Sequence, residues 1–112
     1  PFEEALPYLT TAFEAVENDN DCVIVGVISR VQKKKDKNKK PFAFVNIYST
    51  FGIIEGVLWN SQLVQYEDLV KKGSQVAIKC RKTDEDKVTI QAMRPYVEWL
   101  SERKKRHDRK NI

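Results

Sequence analysis

CVIVGVISRVQKKKDKNKKPFAFVNIYSTFGIIEGVLW, residues 22–59, decides the fold. Cys22 to Val31 is a β-branched run, apolar on both faces through Ile28. A strand buried on both sides reads this way, and Gly26 in its middle predicts a sharp bend or bulge. Lys33 to Lys40 reads as a loop, where six lysines and one aspartate leave +5 of charge in eight residues. Pro41 fits the entry of a second strand, Phe42 to Tyr48. Ala43, Val45 and Ile47 form its core face, so Phe42, Phe44, Asn46 and Tyr48 share the other. Ser49 to Gly52 is a tight turn with glycine free to take positive φ, and Ile53 to Trp59 is the return strand.

Outward from this stretch, residues 60–72 read as a helix with Leu63, Tyr66, Leu69 and Val70 in its stripe and Gly73 as its stop. Gln75 to Arg81 is a fourth strand, Thr83 to Asp86 a polar turn, and Lys87 to Met93 a fifth strand ended by Pro95. On the N-terminal side, Phe2, Leu6, Leu9, Phe13 and Val16 recur at helical spacing, predicting a helix over 2–16 that Pro7 kinks or delays. Asn18 to Asp21 is a polar break. Tyr96 to Lys110 reads as a closing helix with Trp99 and Leu100 on its apolar side. Five short strands with a helix between the third and fourth is the order of the mainly β, five-stranded Greek-key OB barrel, here flanked by terminal helices.

The 112 residues suffice for one domain with a real core. The expected division is a leader at 1–21, the barrel at 22–95 and a basic helix or tail at 96–112. No run approaches the ~18 apolar residues of a membrane span, and the opening PFEEALPYL is acidic where a secretory signal needs cations. A cytoplasmic protein with no membrane partner is expected. Cys22 and Cys80 lie in apolar strands and read as buried free thiols. With His107 they form no metal-ligand spacing, so no metal or other cofactor is expected.

Charge is uneven. Residues 1–21 hold −6, residues 33–40 hold +5 and residues 101–112 hold +4, within a net charge of +4. Such asymmetry suggests a polyanionic partner on one side of the molecule. In the OB barrel the ligand face is built from strands two and three and the loops joining strands one to two and four to five. The basic loop and the aromatic strand fall there. Lys33, Lys34, Lys35, Lys37, Lys39 and Lys40 can follow phosphates without reading sequence, with Arg30 and Arg81 adding contacts from adjacent strands. Phe42, Phe44 and Tyr48 can stack bases, and Asn46 between them is a residue that a buried face seldom chooses. Trp59 reads first as packing against the following helix and second as an edge of the site. The other loop, with Asp84, Glu85 and Asp86, is acidic and argues against a second cationic clamp there, an effect that the flanking Arg81, Lys82 and Lys87 partly offset.

These residues resemble the OB-fold domain of the bacterial replicative DNA polymerase III alpha subunit. Gly26 and Ile28 match a Gly-x-(Ile/Val) element, and Lys40 through Ile47 a basic loop entering a Lys-x-Met-Ala-Phe-x-x-Leu-like strand. Gly52, Ile54 and Glu55 match the turn and strand that follow. Trp59 matches the aromatic closing strand three, Leu69 to Gly73 the helix end, and Pro1 to Glu3 the leader. Tyr48 and Ser49 stand where that family often carries an acidic pair, and Asn38 where it has a loop glycine. The resemblance, over residues 1–95, implies a non-catalytic module holding single-stranded template within a larger DNA-directed DNA polymerase, and hence a divergent or phage-encoded relative. The start at Pro1 fits excision from such a chain.

Two further readings stand beside single-stranded DNA binding. One is a protein-docking module of a replication complex, using the barrel face or the helix at 97–110. The other is an RNA- or tRNA-binding OB domain. Arg103, Lys104, Lys105 and Arg106 read as a solvated helix end. Catalysis finds little support: Ser29 and His107 have no partner pattern, and there is no Gly-rich phosphate cradle.

Overall fold

In the computed structural model, which describes residues 2–9 and 12–110, five strands close into a barrel in the order β1-β2-β3-β5-β4. They are β1 (Asp21–Lys35), β2 (Pro41–Ser49), β3 (Gly52–Leu58), β4 (Gln75–Asp84) and β5 (Lys87–Pro95). Helix α1 (Asn60–Gln65) lies between β3 and β4, and α2 (Tyr96–Lys110) follows β5. Pro1 and residues 111–112, at the ends of the expected leader and tail, lie outside the described residues. Neighbouring strands are antiparallel except β3 and β5, which pair in parallel over Glu55–Val57. This is the Greek-key barrel that the order of elements predicts.

Closure depends on β1, which pairs with β4 over Asp21–Val27 and with β2 over Gly26–Lys35. Gly26 and Val27 pair on both sides, so the strand crosses there from one half of the sheet to the other. A Cβ at Gly26 would lie 2.5 Å from the Tyr48 carbonyl oxygen and 2.9 Å from Ile47 Cγ2. Only glycine admits that approach. The bulge itself falls between Ile28 and Arg30.

Inside, Ile24, Ile28, Val45, Ile47, Ile54, Leu58, Ile78 and Ile90 are almost wholly shielded from water. Leu63 of α1 and Val70 complete the same core. A second cluster forms on the outer surface of the barrel, where Trp99 and Leu100 of α2 cover Val25 and Ala77. Cys22 and Cys80 face each other across β1 and β4 as free thiols, their Sγ atoms 3.6 Å apart. Cys80 is buried as expected, but Cys22 only partly. The contact with Cys22, then burial, pushes the Cys80 thiol up.

Element boundaries differ from the sequence reading: β4 runs on to Asp84 and β5 to Pro95, past the expected ends at Arg81 and Met93, and three further differences are larger. The leader is not one helix over 2–16 but two 3-10 turns, Glu3–Tyr8 and Phe13–Ala15. Its apolar residues serve two cores: Phe2 packs beneath α2, while Phe13 enters the barrel cluster. Leu6 is 48% exposed, so the helical spacing described no single buried stripe. The helix expected over 60–72 stops at Gln65 and resumes as a 3-10 turn at Glu67–Leu69. β1 runs on to Lys35, because Lys33, Lys34 and Lys35 pair with Ala43, Phe42 and Pro41.

One buried cation ties the leader to the barrel. Lys82 is 5% exposed. Its Nζ donates to the Phe13 carbonyl at 2.9 Å and lies 4.4 Å from the Phe13 ring centroid. Lys82→Ala should therefore cost about 2–3 kcal/mol, by leaving a buried carbonyl unpaired and a void below the ring. Chemical denaturation measures this, and Lys82→Arg should recover part of the loss.

Candidate nucleic-acid interface

Residues paired across a ladder project to the same side of the sheet. On the outer surface, therefore, Arg30, Gln32 and Lys34 of β1 stand beside Asn46, Phe44 and Phe42 of β2. Ile53, Glu55 and Val57 of β3 lie opposite Tyr48, Asn46 and Phe44. The rings meet at one end. Phe42 and Phe44 pack edge to face with centroids 5.5 Å apart. Trp59 lies 5.1 Å from Phe42 at an interplanar angle of 31°. The Lys34 ammonium sits 5.6 Å from the Phe44 centroid. Trp59 is 49% and Tyr48 57% exposed, while Phe42, Phe44 and Asn46 are half-buried.

This placement corrects the reading of Trp59 as a core residue packed on the following helix. Its ring rests on Phe42 instead, and the neighbouring Asn60 side-chain amide donates to the Pro41 carbonyl at 3.1 Å. The aromatic face of β2 is likewise not covered by a terminal helix, since α2 packs on β4 and β5.

The lysine-rich segment is a β-hairpin rather than a long loop. Only residues 36–40 turn, and Asp36 organises them. Its Oδ1 accepts from the backbone N–H groups of Asn38 at 2.8 Å and Lys40 at 3.0 Å. The left-handed residue is Lys39, with φ 62°, and not Asn38. Lys34 shares the platform face. Lys33 and Lys35 alternate to the other side of β1, and Lys37, Lys39 and Lys40 crown the turn, all exposed. Lys34 and the turn lysines thus stand at one end of the aromatic cluster, while Lys33 and Lys35 face away from it.

Acids flank the platform on the β3 side, beside Lys87, which pairs with Glu55. The Glu55 backbone N–H donates to the Asp86 carbonyl at 2.9 Å, which draws the β4–β5 turn with its three acids against β3. Glu55 itself is exposed beside Asn46. Sequence reasoning overlooked Ile53 and Glu55 as platform residues, although the alternation along β3 carried that signal.

Arg81 is not brought to this face. It lies on β4 opposite Asp21, at the far end of β1 from the hairpin, and its Nε donates to Asp21 Oδ1 at 3.2 Å. That hydrogen bond holds the Asp21 carboxyl below the usual carboxylate range. A lowered folded-state pKa stabilises the protein above the unfolded aspartate value of ~3.9, and the gain is lost as pH falls through the lower folded value. Asp21→Asn should accordingly destabilise at neutral pH but narrow the gap to wild type in acid. Urea unfolding at a series of pH values checks this.

The profile of the tRNA anti-codon family, described as an OB-fold nucleic acid binding domain, matches residues 22–95. Solved structures share the fold at low identity. The mitochondrial single-stranded DNA binding protein of S. cerevisiae is 15% identical with a TM-score of 0.58, covering 70% of this chain and 96% of its own. The SSB domain of a Synechococcus protein is 14% identical with a TM-score of 0.56, covering 70% and 97%. TiaS in its complex with a tRNA and ATP is 14% identical with a TM-score of 0.54, covering 71% of this chain but 19% of TiaS. No curated protein sequence matches the chain significantly.

Proposed function

We propose, from the premise that this chain belongs to the OB-fold nucleic acid binding domain family, that it binds single-stranded DNA with little sequence preference. One observation carries the proposal: Phe42, Phe44 and Trp59 form a solvent-accessible ring cluster beside a hairpin that carries six lysines. Rings accept any base, and lysines accept any phosphate. The single-stranded DNA binding protein and the SSB domain among the similar structures support the choice of ligand. The strand lies along the hairpin and the ring cluster and continues over β2 to Tyr48, which is exposed on the same face, kept from the β4–β5 turn by its acids, which repel phosphates.

The polymerase III alpha resemblance supplies the setting. The domain holds template strand for a replicative DNA polymerase in the cytoplasm and performs no catalysis itself. A second reading, RNA binding, draws on the tRNA complex of TiaS and on the family's tRNA anti-codon profile.

Fluorescence anisotropy with labelled oligo-dT, oligo-U and duplex DNA tests the proposal. Oligo-dT should bind most tightly. Phe44→Ala should weaken it by roughly 5- to 150-fold, the equivalent of ~1–3 kcal/mol for a stacked base. Preference for oligo-U would favour the RNA reading. Equal affinity for duplex would remove the stacking mechanism.

A further inference from the structure

Helix α2 lies across the outer surface of β1, β4 and β5 and has two flanks. The chain's own leader occupies one. Phe2 meets Tyr96 edge-on with centroids 4.8 Å apart, and Tyr8 meets His107 at 5.7 Å. A Glu4 carboxylate oxygen lies 3.5 Å from Lys104 Nζ. Phe2 and Ala5 are buried in this contact. Residues 1–21 carry six acids and no Lys or Arg. On this flank, then, α2 already holds an acidic segment through apolar anchors and a carboxylate–lysine pair.

The other flank has the same chemistry and is not covered by the leader. A cavity of about 270 Å³ opens between α2 and the strands, with Val23, Ala92, Met93 and Trp99 among its apolar walls. For scale, an apolar cavity of ~150 Å³ holds a benzene ring, so a phenyl or leucyl side chain has room here. Lys79, Arg94, Arg103 and Arg106 rim it, against one carboxylate, Glu102. Glu102 accepts from Arg94 and from Arg106, each at 2.6 Å, which fixes both guanidinium groups at the mouth. Lys79 and Arg103 have no such partner among the ion pairs of the described residues.

A nucleobase would find no platform in this cavity. Trp99 is 4% exposed, and the Arg103 guanidinium lies 5.8 Å from its ring centroid. The opening suits one inserted side chain flanked by anions, not a stacked strand. We infer that this flank of α2 docks an acidic segment of a partner protein, with an aromatic or leucine side chain in the cavity and flanking carboxylates on Arg103, Arg106 and Lys79. Because the groove lies on β4 and β5, away from the β2–β3 platform, a partner and a DNA strand can be held together.

An isotope-labelled sample of the whole chain, titrated with the synthetic peptide Glu-Glu-Phe-Glu-Leu-Glu and followed by amide NMR, tests the inference. Saturable shifts are expected at Lys79, Ala92, Arg94 and Arg103, with Phe44 and Asn46 unmoved. The Arg103→Gln/Arg106→Gln variant should lose at least about tenfold in peptide affinity while keeping its affinity for oligo-dT and its amide spectrum away from α2, and the loss of the Arg106–Glu102 pair should lower its thermal transition only slightly. A glutamine-for-glutamate peptide should bind far more weakly. The inference is overturned by absence of shifts at millimolar peptide, or by equal binding of the glutamine peptide. It is overturned too by shifts centred on Phe2 and Tyr8, which would mean leader displacement, or by oligo-dT moving the groove amides. The peptide readout does not depend on the DNA reading, because no nucleic acid enters that titration.

Discussion

Replacing Lys33, Lys34, Lys35, Lys37, Lys39 and Lys40 with glutamine is expected to lower the affinity for oligo-dT by roughly three to four orders of magnitude at about 0.1 M salt. A single strand releases about 0.7 counterion for each phosphate neutralised, so six engaged lysines together with Arg30 give a log–log salt slope of roughly −5. The variant, left with Arg30, should show a slope near about −1. The hairpin itself should persist, because Asp36 and the β1–β2 ladder shape it and the lysine side chains are exposed. Anisotropy titrations over a range of salt measure both quantities. If the lysines only solubilise, slope and affinity will not change.

The largest effect on stability is expected at Gly26. Gly26→Ala should cost roughly 3 kcal/mol or more, and lower Tm by more than about 10 °C. The added Cβ would meet a backbone carbonyl at 2.5 Å, where β1 is held by β2 and β4 at once. Neither strand can retreat without opening the barrel. Gly56 is the control. There the nearest atom to an added Cβ is Ile90 Cδ1 at 2.7 Å, the end of a flexible side chain. Gly56→Ala should cost only about 1 kcal/mol. Thermal unfolding of the two variants separates a steric lock from ordinary overpacking.

The contrast between these glycines bears on what can be read from a chain. Gly26 was legible as a bend because it interrupts a run apolar on both faces, and that run plus the position of α1 sufficed for the barrel. The alternation of Ala43, Val45 and Ile47 with Phe42, Phe44 and Asn46 likewise placed the platform side chains correctly on one face. What escaped was long-range pairing. Lys33 to Lys35 look like loop because lysine is poor in strands, yet pairing with β2 extends β1 through them. The leader shows a helical spacing because Phe2 and Phe13 are both anchors, but of different cores on different surfaces. Arg81 was assigned to the site from its strand alone; its partner Asp21 lies 60 positions away in sequence and could not be seen. Trp59 stood at a strand end, where packing on α1 and packing on Phe42 are equally compatible with the sequence. The contact of its ring with Phe42 and its exposure distinguish them.

Trp59 also offers the most direct test of the central claim, that bases stack on the ring cluster. In a Trp99→Phe background, Trp59 is the remaining tryptophan of the two in the chain. Titration with oligo-dT should quench its fluorescence saturably, in step with the anisotropy of a labelled strand, and Phe42→Ala should weaken both together. Binding seen by anisotropy with Trp59 emission unchanged would place the strand elsewhere and contradict the account.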